Sequence, residues 1–171
     1  MRYEVDDSVF LRFPGFRRAV VVARGLDNGR TVPEWEQRLR DLEGTVREEP
    51  GDPLEDPRLL AWMEAFRALG LNPKRFPPSV VNLVKRVRGG KPLPFVNPLV
   101  GLFNCVSLEH RIPCGGDDLG AVTGDLALRF ADWDESYHPL GQPEAEERPA
   151  PGEVVYLDTG TREVFCRAWC W

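Results

Sequence analysis

Four residues in the run NPLVGLFNCVSLEH (residues 97–110) have types and spacing that can do chemistry: Asn97, Gly101, Asn104 and Ser107. On a helix, positions 97, 101, 104 and 108 fall along one face, and Ser107 lies one turn from Asn104. An Asn that faces inward needs hydrogen-bond partners, since an unpaired buried amide costs about 1–3 kcal/mol. Neighbouring backbone supplies them in one reading. In the other, a ligand or an ordered water supplies them in a pocket, and Gly101 lets that group come close. The glycine pair Gly115–Gly116 follows. Its backbone N–H groups can bind an anion or a developing oxyanion.

Other chemistry is sparse. The chain has no P-loop, no GxGxxG after a strand, no HExxH and no GxSxG elbow. Its histidines, His110 and His138, fall at a helix end and in an acidic loop, where surface roles are expected. The run GGDD, residues 115–118, has the form of a metal carboxylate pair. The preferred reading is a tight backbone path with Asp117 or Asp118 capping the next turn. The cysteines at 105, 114, 166 and 170 lack the paired short spacings of a zinc site, so thiols are expected and neither a metal nor a cofactor is.

These residues must be held by surrounding elements. Asn97 reads as an N-cap and Pro98 as the first residue of a helix. Before it, SVVNLVKRV (79–87) predicts a helix capped by Ser79. Val80, Leu83, Val84 and Val87 would face inward, and Lys85, Arg86 and Arg88 outward. Residues 58–69 predict another helix, with Leu59, Trp62, Met63 and Phe66 as core. Residues 33–48 predict a third, opened by Pro33 and carrying Trp35, Leu39 and Leu42. The β-branched run RRAVVVARGL (17–26) predicts a buried strand ended by the DNG turn. Strands are also expected at DLALRFA (125–131), EVVYLD (153–158) and EVFCRAWCW (163–171). On the 97–110 helix, Leu99, Leu102, Phe103 and Val106 are expected to take the buried side.

The 171 residues suit one compact domain or two closely packed lobes. No apolar run approaches the roughly 20 residues of a membrane helix. The acidic N-terminus, MRYEVDDSVF, does not read as a signal peptide, and a cytoplasmic location is expected. The net charge of −5 argues against indiscriminate coating of nucleic acid. The charge is uneven. Residues 58–91 carry eight Lys or Arg against Glu64, and residues 131–158 carry eight acids against Arg148. The excursion DWDESYHPLGQPEAEERPAPG is expected to be polar and mobile. The end at AWCW, inside an apolar run, raises the expectation that a further segment follows.

The run from Ser79 to Ala131 resembles the B3/B4 domain of the phenylalanyl-tRNA synthetase β subunit. That pattern is an amphipathic helix, then loosely N-x-x-V-D-x-T-N-Y-x-x-x-E-x-x-x-P-x-H-A-F-D-L, a short turn and a strand. Asn97, Val100, Asn104, Glu109, Pro113, Asp118 and Leu119 keep its order and spacing. The blocks FPGFRRAVVVARGLDN, AWMEAFRALGLNPKRFPPSV, VNPLVGLFNCVSLEHRIPCGGDDL and GEVVYLD look still more like free-standing B3/B4 proteins.

The resemblance implies a mixed α/β (α+β) fold of layered sheets and packed helices, in a single B3/B4-like domain over 1–171. It implies hydrolysis of the ester of mischarged tRNA in trans, by a water positioned in a cleft beside the 97–110 helix. Asn104, Ser107, Gly115 and Gly116 would be catalytic. Asn97, Gly101, Glu109, Lys85, Arg86, Arg88 and Lys91 would bind the substrate, with the basic residues on the tRNA acceptor end. The family's pocket histidine falls at Gly115 here, and its pocket glutamate lies in a stretch beyond Trp171. Those departures suit an alternative: a non-catalytic module with the same fold that binds tRNA or a small ligand. A third class is a protein-interaction domain that uses the acidic loop.

Overall fold

The structure is a computed structural model and describes residues 1–142 and 144–169. The fold is mixed α/β of the α+β kind. Among the described residues it contains five α-helices and a five-stranded mixed sheet. The chain divides into two compact units. One comprises residues 1–18, 68–71 and the described residues from 117 onward; the other comprises residues 19–67 and 72–116.

The first unit is built on the sheet. Strands β1 (Tyr3–Val5), β2 (Leu126–Phe130), β3 (Ser136–Tyr137), β4 (Val154–Asp158) and β5 (Glu163–Cys166) lie in the order β1-β2-β4-β5-β3. β1 runs parallel to β2, β2 and β5 run antiparallel to β4, and β3 runs parallel to β5. All five residues of β4 are buried, which explains its unbroken VVYLD apolarity. Helix α1 (Asp7–Arg12) is capped by Asp6, whose carboxylate accepts the Ser8 N–H at 2.9 Å, and buries Val9.

Asp158, at the end of β4, ties two turns together. Its carboxylate accepts the N–H groups of Thr123, Gly124 and Gly160, each at 2.8 Å, and the Thr123 hydroxyl at 2.9 Å. These donors lower its pKa to about 2. The turns fit so closely that a Cβ on Gly124 would lie 2.4 Å from the Gly160 nitrogen.

The second unit is helical: α2 (Pro33–Glu48), α3 (Pro57–Ala68), α4 (Ser79–Arg88) and α5 (Pro98–His110). Leu39 and Val46 from α2, Leu59 from α3, Val80, Val81, Val84 and Val87 from α4, and Cys105 and Leu108 from α5 form its core. Glu43 joins the inward line of α2 although it is charged, and is fully buried. Its Oε1 accepts the Leu93 N–H at 2.6 Å and an Arg40 N–H at 2.7 Å, and its Oε2 accepts from Arg47 at 3.2 Å. One carboxylate thereby fixes the backbone of the loop after α4.

Several expectations are corrected. Residues 17–26 form no strand: all are exposed, Val21 by 89 %. Their composition favours a ladder, but among the described residues no strand pairs with them. Ser79 is the first residue of α4, and Pro78 holds the cap position without a side-chain bond. On α4 Leu83 is only half-buried, while Val81 takes the inward place. The final strand ends at Cys166. Arg167 then pairs with both carboxylate oxygens of Glu153, and Ala168 and Trp169 turn into left-handed backbone. Cys170 lies outside the described residues. β1, α1 and β3 were not anticipated, each being too short to show a period. The polar excursion carries β3, and a Tyr137–Glu147 bridge ties it back.

Candidate functional site

α5 is held at both ends by side chains. Asn97 is the N-cap, as its sequence position predicts, and its Oδ1 accepts the Val100 N–H at 2.9 Å. Pro98 has no N–H to satisfy, and the Leu99 N–H goes to Asn28 of the DNG turn at 3.0 Å. The first turn is therefore fully capped and leaves no donors for an anion. At the other end, Arg111 adopts a left-handed conformation (φ 56°). Its buried guanidinium reaches the Leu108 carbonyl and the Glu49 carboxylate. Arg58 donates to the His110 carbonyl at 3.1 Å.

The helix buries a different face from the one expected. Gly101, Cys105, Ser107 and Leu108 are buried, whereas Leu99, Leu102, Phe103 and Val106 are half-buried. Apolar residues surround α5, so periodicity alone could not choose its inner side. Small residues choose it, because they allow close approach. A Cβ on Gly101 would lie 2.2 Å from the Phe95 ring, so that ring occupies the space the glycine leaves. Burial pushes the Cys105 thiol up, which keeps it neutral within the core.

Asn104 is half-buried beside this line, and no hydrogen bond to its side chain occurs among the described residues. Ser107, one turn on, is only 1 % exposed. Gly116 packs against α5 at the residue next to Asn104: a Cβ there would meet the Phe103 ring at 2.6 Å. Gly115 has open space where its side chain would be. The N–H groups of Gly115 and Gly116 carry no hydrogen bond among the described residues. Glu109 is exposed and paired with Arg38 at 2.7 Å, a bond that holds its carboxyl below the usual range. Asp118 caps the following turn through the Gly120 N–H at 2.8 Å, as one reading of GGDD anticipates.

The basic residues separate into two roles. Lys85, Arg86 and Lys91, with Asn82 and Gly89, line a shallow hollow of about 350 Å³. Arg86 donates its Nε–H to the Pro92 carbonyl at 2.9 Å, which fixes the guanidinium at the rim. Gly90 supplies the positive φ of 76° that turns the chain toward Lys91. Arg88, expected to face outward, instead donates to the carbonyls of Arg47 and Glu49, both at 2.7 Å, and of Gly51. It satisfies the end of α2. Sequence reasoning missed Asn82 and Gly89, although both lie one turn from Lys85 or Arg86. It also missed Glu43, which anchors the loop carrying Lys91.

The first unit holds its own ionisable groups. Loss of water around Asp117 and Tyr156, which also interact with each other, pushes both pKa values up. The Arg18 guanidinium lies 5.4 Å from the Tyr3 ring centroid and 5.5 Å from that of Tyr156. Of the eight acids in 131–158, Glu135, Glu153 and Asp158 are turned inward to structural partners. Among the described residues no group of three or more His, Cys, Asp or Glu could hold a metal ion, and no helix is long and apolar enough to cross a membrane.

Comparison with known proteins finds no match among curated proteins or solved structures. A family model does match, over residues 61–168, which takes in α4, α5, the glycine pair and the sheet from β2 to β5. The capped α5, the glycine turn against it and the strands that follow all lie within the matched residues, and the chain belongs to the B3/4 domain family.

Proposed function

We propose that the protein is a free-standing editing deacylase that hydrolyses mischarged aminoacyl-tRNA in trans in the cytoplasm. The observation that carries this reading is the half-buried Asn104 amide, whose side chain has no hydrogen-bond partner among the described residues, on a helix whose first turn is fully capped. An aminoacyl ester is already activated, so the site need only place water against the carbonyl and stabilise the oxyanion. Water attacks the carbonyl carbon, and negative charge develops on its oxygen. The carbon–ribose oxygen bond then breaks, the leaving ribose oxygen takes the proton that water loses, and amino acid and tRNA separate. The neighbouring ribose hydroxyl can relay that proton. Asn104 orients the water or donates to the oxyanion, and the free N–H groups of Gly115 and Gly116 are further donors. Lys85, Arg86 and Lys91 meet phosphates of the acceptor end at their hollow.

A panel of mischarged tRNAs tests this directly. The expected result is accelerated deacylation of at least one of them, reduced about 10²–10³-fold in Asn104→Ala. Equal rates for Asn104→Ala and wild type would remove the site. A second reading has its own support. Ser107 is closed to solvent, Glu109 is paired with Arg38, and Gly115 brings no side chain, so α5 presents no free acid or base beside Asn104. In that reading the module binds the tRNA end without cleaving the ester. Salt-sensitive tRNA binding with no deacylation of any panel member distinguishes it.

A further inference from the structure

The run Ala19–Leu26 presents a contradiction that the editing role does not absorb. Its adjacent valines are 53, 89 and 60 % exposed at positions 20, 21 and 22, and Leu26 is 60 % exposed. The chain's other adjacent valine pairs, 80–81 and 154–155, are fully buried. No backbone N–H or C=O from 17 to 26 takes part in a hydrogen bond among the described residues. A β-branched run with open backbone donors and acceptors is a template for another strand.

Charge says which strand. No acid occurs between Asp7 and Asp27, while Arg12, Arg17, Arg18 and Arg24 do. The heptapeptide RAVVVAR reads the same in both directions about Val21. A second copy paired two-fold on that centre would set Arg18 opposite Arg24 at both ends, and like charges directly opposite destabilise a strand pair. An acidic strand turns those contacts into attraction. A nucleic acid would meet the arginines, but it offers no ladder of amide groups and no apolar row for the valines. We propose that residues 19–24, which end at the left-handed Gly25, are a docking site for an extended acidic segment of a partner protein, which pairs with them as an added β-strand. On the paired strand, Val20, Val22 and Arg24 face one side and Ala19, Val21 and Ala23 the other. Main-chain bonds supply affinity, and an acid opposite Arg24 sets register.

The test uses the whole protein and a fluorescein-labelled peptide, Glu-Val-Thr-Val-Thr-Val-Glu, with binding read by anisotropy at low and high salt. A Lys-flanked peptide and a single-stranded RNA are the comparison probes. Saturable binding of the acidic peptide, weakened by salt, is expected. Val21→Pro removes one N–H at a position that is 89 % exposed, and should weaken binding about tenfold or more. Arg24→Glu should shift preference toward the Lys-flanked peptide. Amides 19–24 should exchange fast in the free protein and slow when the peptide is bound. The proposal is overturned by no binding at millimolar peptide, or by wild-type affinity in Val21→Pro. It is also overturned by amides already protected without peptide, by a dimer in light scattering that Val21→Pro dissolves, or by RNA displacing the peptide from this segment. Each readout is independent of ester hydrolysis.

Discussion

Arg88 Nη1 donates to the Glu49 carbonyl at 2.7 Å, across the gap between the end of α4 and the end of α2. The same nitrogen reaches the Arg47 carbonyl, and Nη2 the Gly51 carbonyl. The Arg47 and Glu49 carbonyls end α2 and have no partners of their own in it, and Gly51 lies in the loop that follows. A guanidinium whose sequence position suggests a phosphate contact is thus part of the scaffold. Lys85 and Arg86, three and two residues before Arg88, remain at the surface hollow.

Arg88→Ala should therefore lower stability by about 2–3 kcal/mol, since charge-assisted hydrogen bonds carry about 1.5–3 kcal/mol each and water will replace part of them. Urea unfolding measures this. Lys85→Ala should stay within about 0.5 kcal/mol of wild type in the same titration. Equal stabilities for the two variants would contradict the assignment of roles.

The hollow makes a separate prediction about salt. Replacing Lys85, Arg86 and Lys91 together by Ala removes up to three phosphate contacts. The slope of log affinity for tRNA against log salt should then fall by about 2, at about 0.7 per contact on single-stranded RNA. Binding assays across a salt series give the slope directly, and an unchanged slope would place the tRNA elsewhere.

Gly101→Ala should destabilise the protein by about 1–3 kcal/mol, the usual range for overpacking a close contact. The new methyl would start 2.2 Å from Phe95, so the ring must move. Pairing it with Phe95→Leu should recover part of the loss. Thermal unfolding of the single and double variants reads that coupling.

Glu43→Ala should cost about 3 kcal/mol, because it strips a buried partner from Arg40 and Arg47 and leaves the Leu93 N–H unsatisfied. Glu43→Gln keeps an oxygen for Leu93 and should cost less. Chemical denaturation ranks the two, and amide exchange at Leu93 should quicken in the alanine variant alone.

Asp158 sets the acid limb of stability. Its carboxyl titrates at about 2 in the folded chain and near 4 when unfolded, so the unfolded state binds more protons between those values. Its contribution is complete above pH 4 and is lost as pH falls from there through 2. Asp158→Asn should lower stability at neutral pH and flatten the profile between pH 4 and 2. A pH series of unfolding midpoints with an unchanged acid slope in the variant would contradict this.

Local physics made much of the molecule legible in the chain itself. Helical spacing located α2, α3 and α4, Pro at the first position marked α2 and α5, and Asn97 caps its helix as its type requires. Alternation located β2, and the turn TGT between two strand-like runs located β4 and β5. These features depend on residues within a few positions of one another, and the sequence displays them. The B3/4 pattern was readable for the same reason, since it is an ordered set of local blocks.

The remaining features depend on partners far along the chain. Which face of α5 turns inward was decided by Phe95 fitting over Gly101, since apolar residues ring the helix and give no preferred side. Arg88 and Arg86 sit two residues apart with the same charge, yet only Arg88 meets the carbonyl end of α2. Glu43 looks like a surface residue of a charged helix until the Leu93 N–H arrives from 50 positions away. The valines of 20–22 have strand composition, but a strand exists only where a second one lies alongside. Composition and period set what each segment can form; only the assembled chain sets what it touches, because burial and hydrogen bonding are properties of pairs.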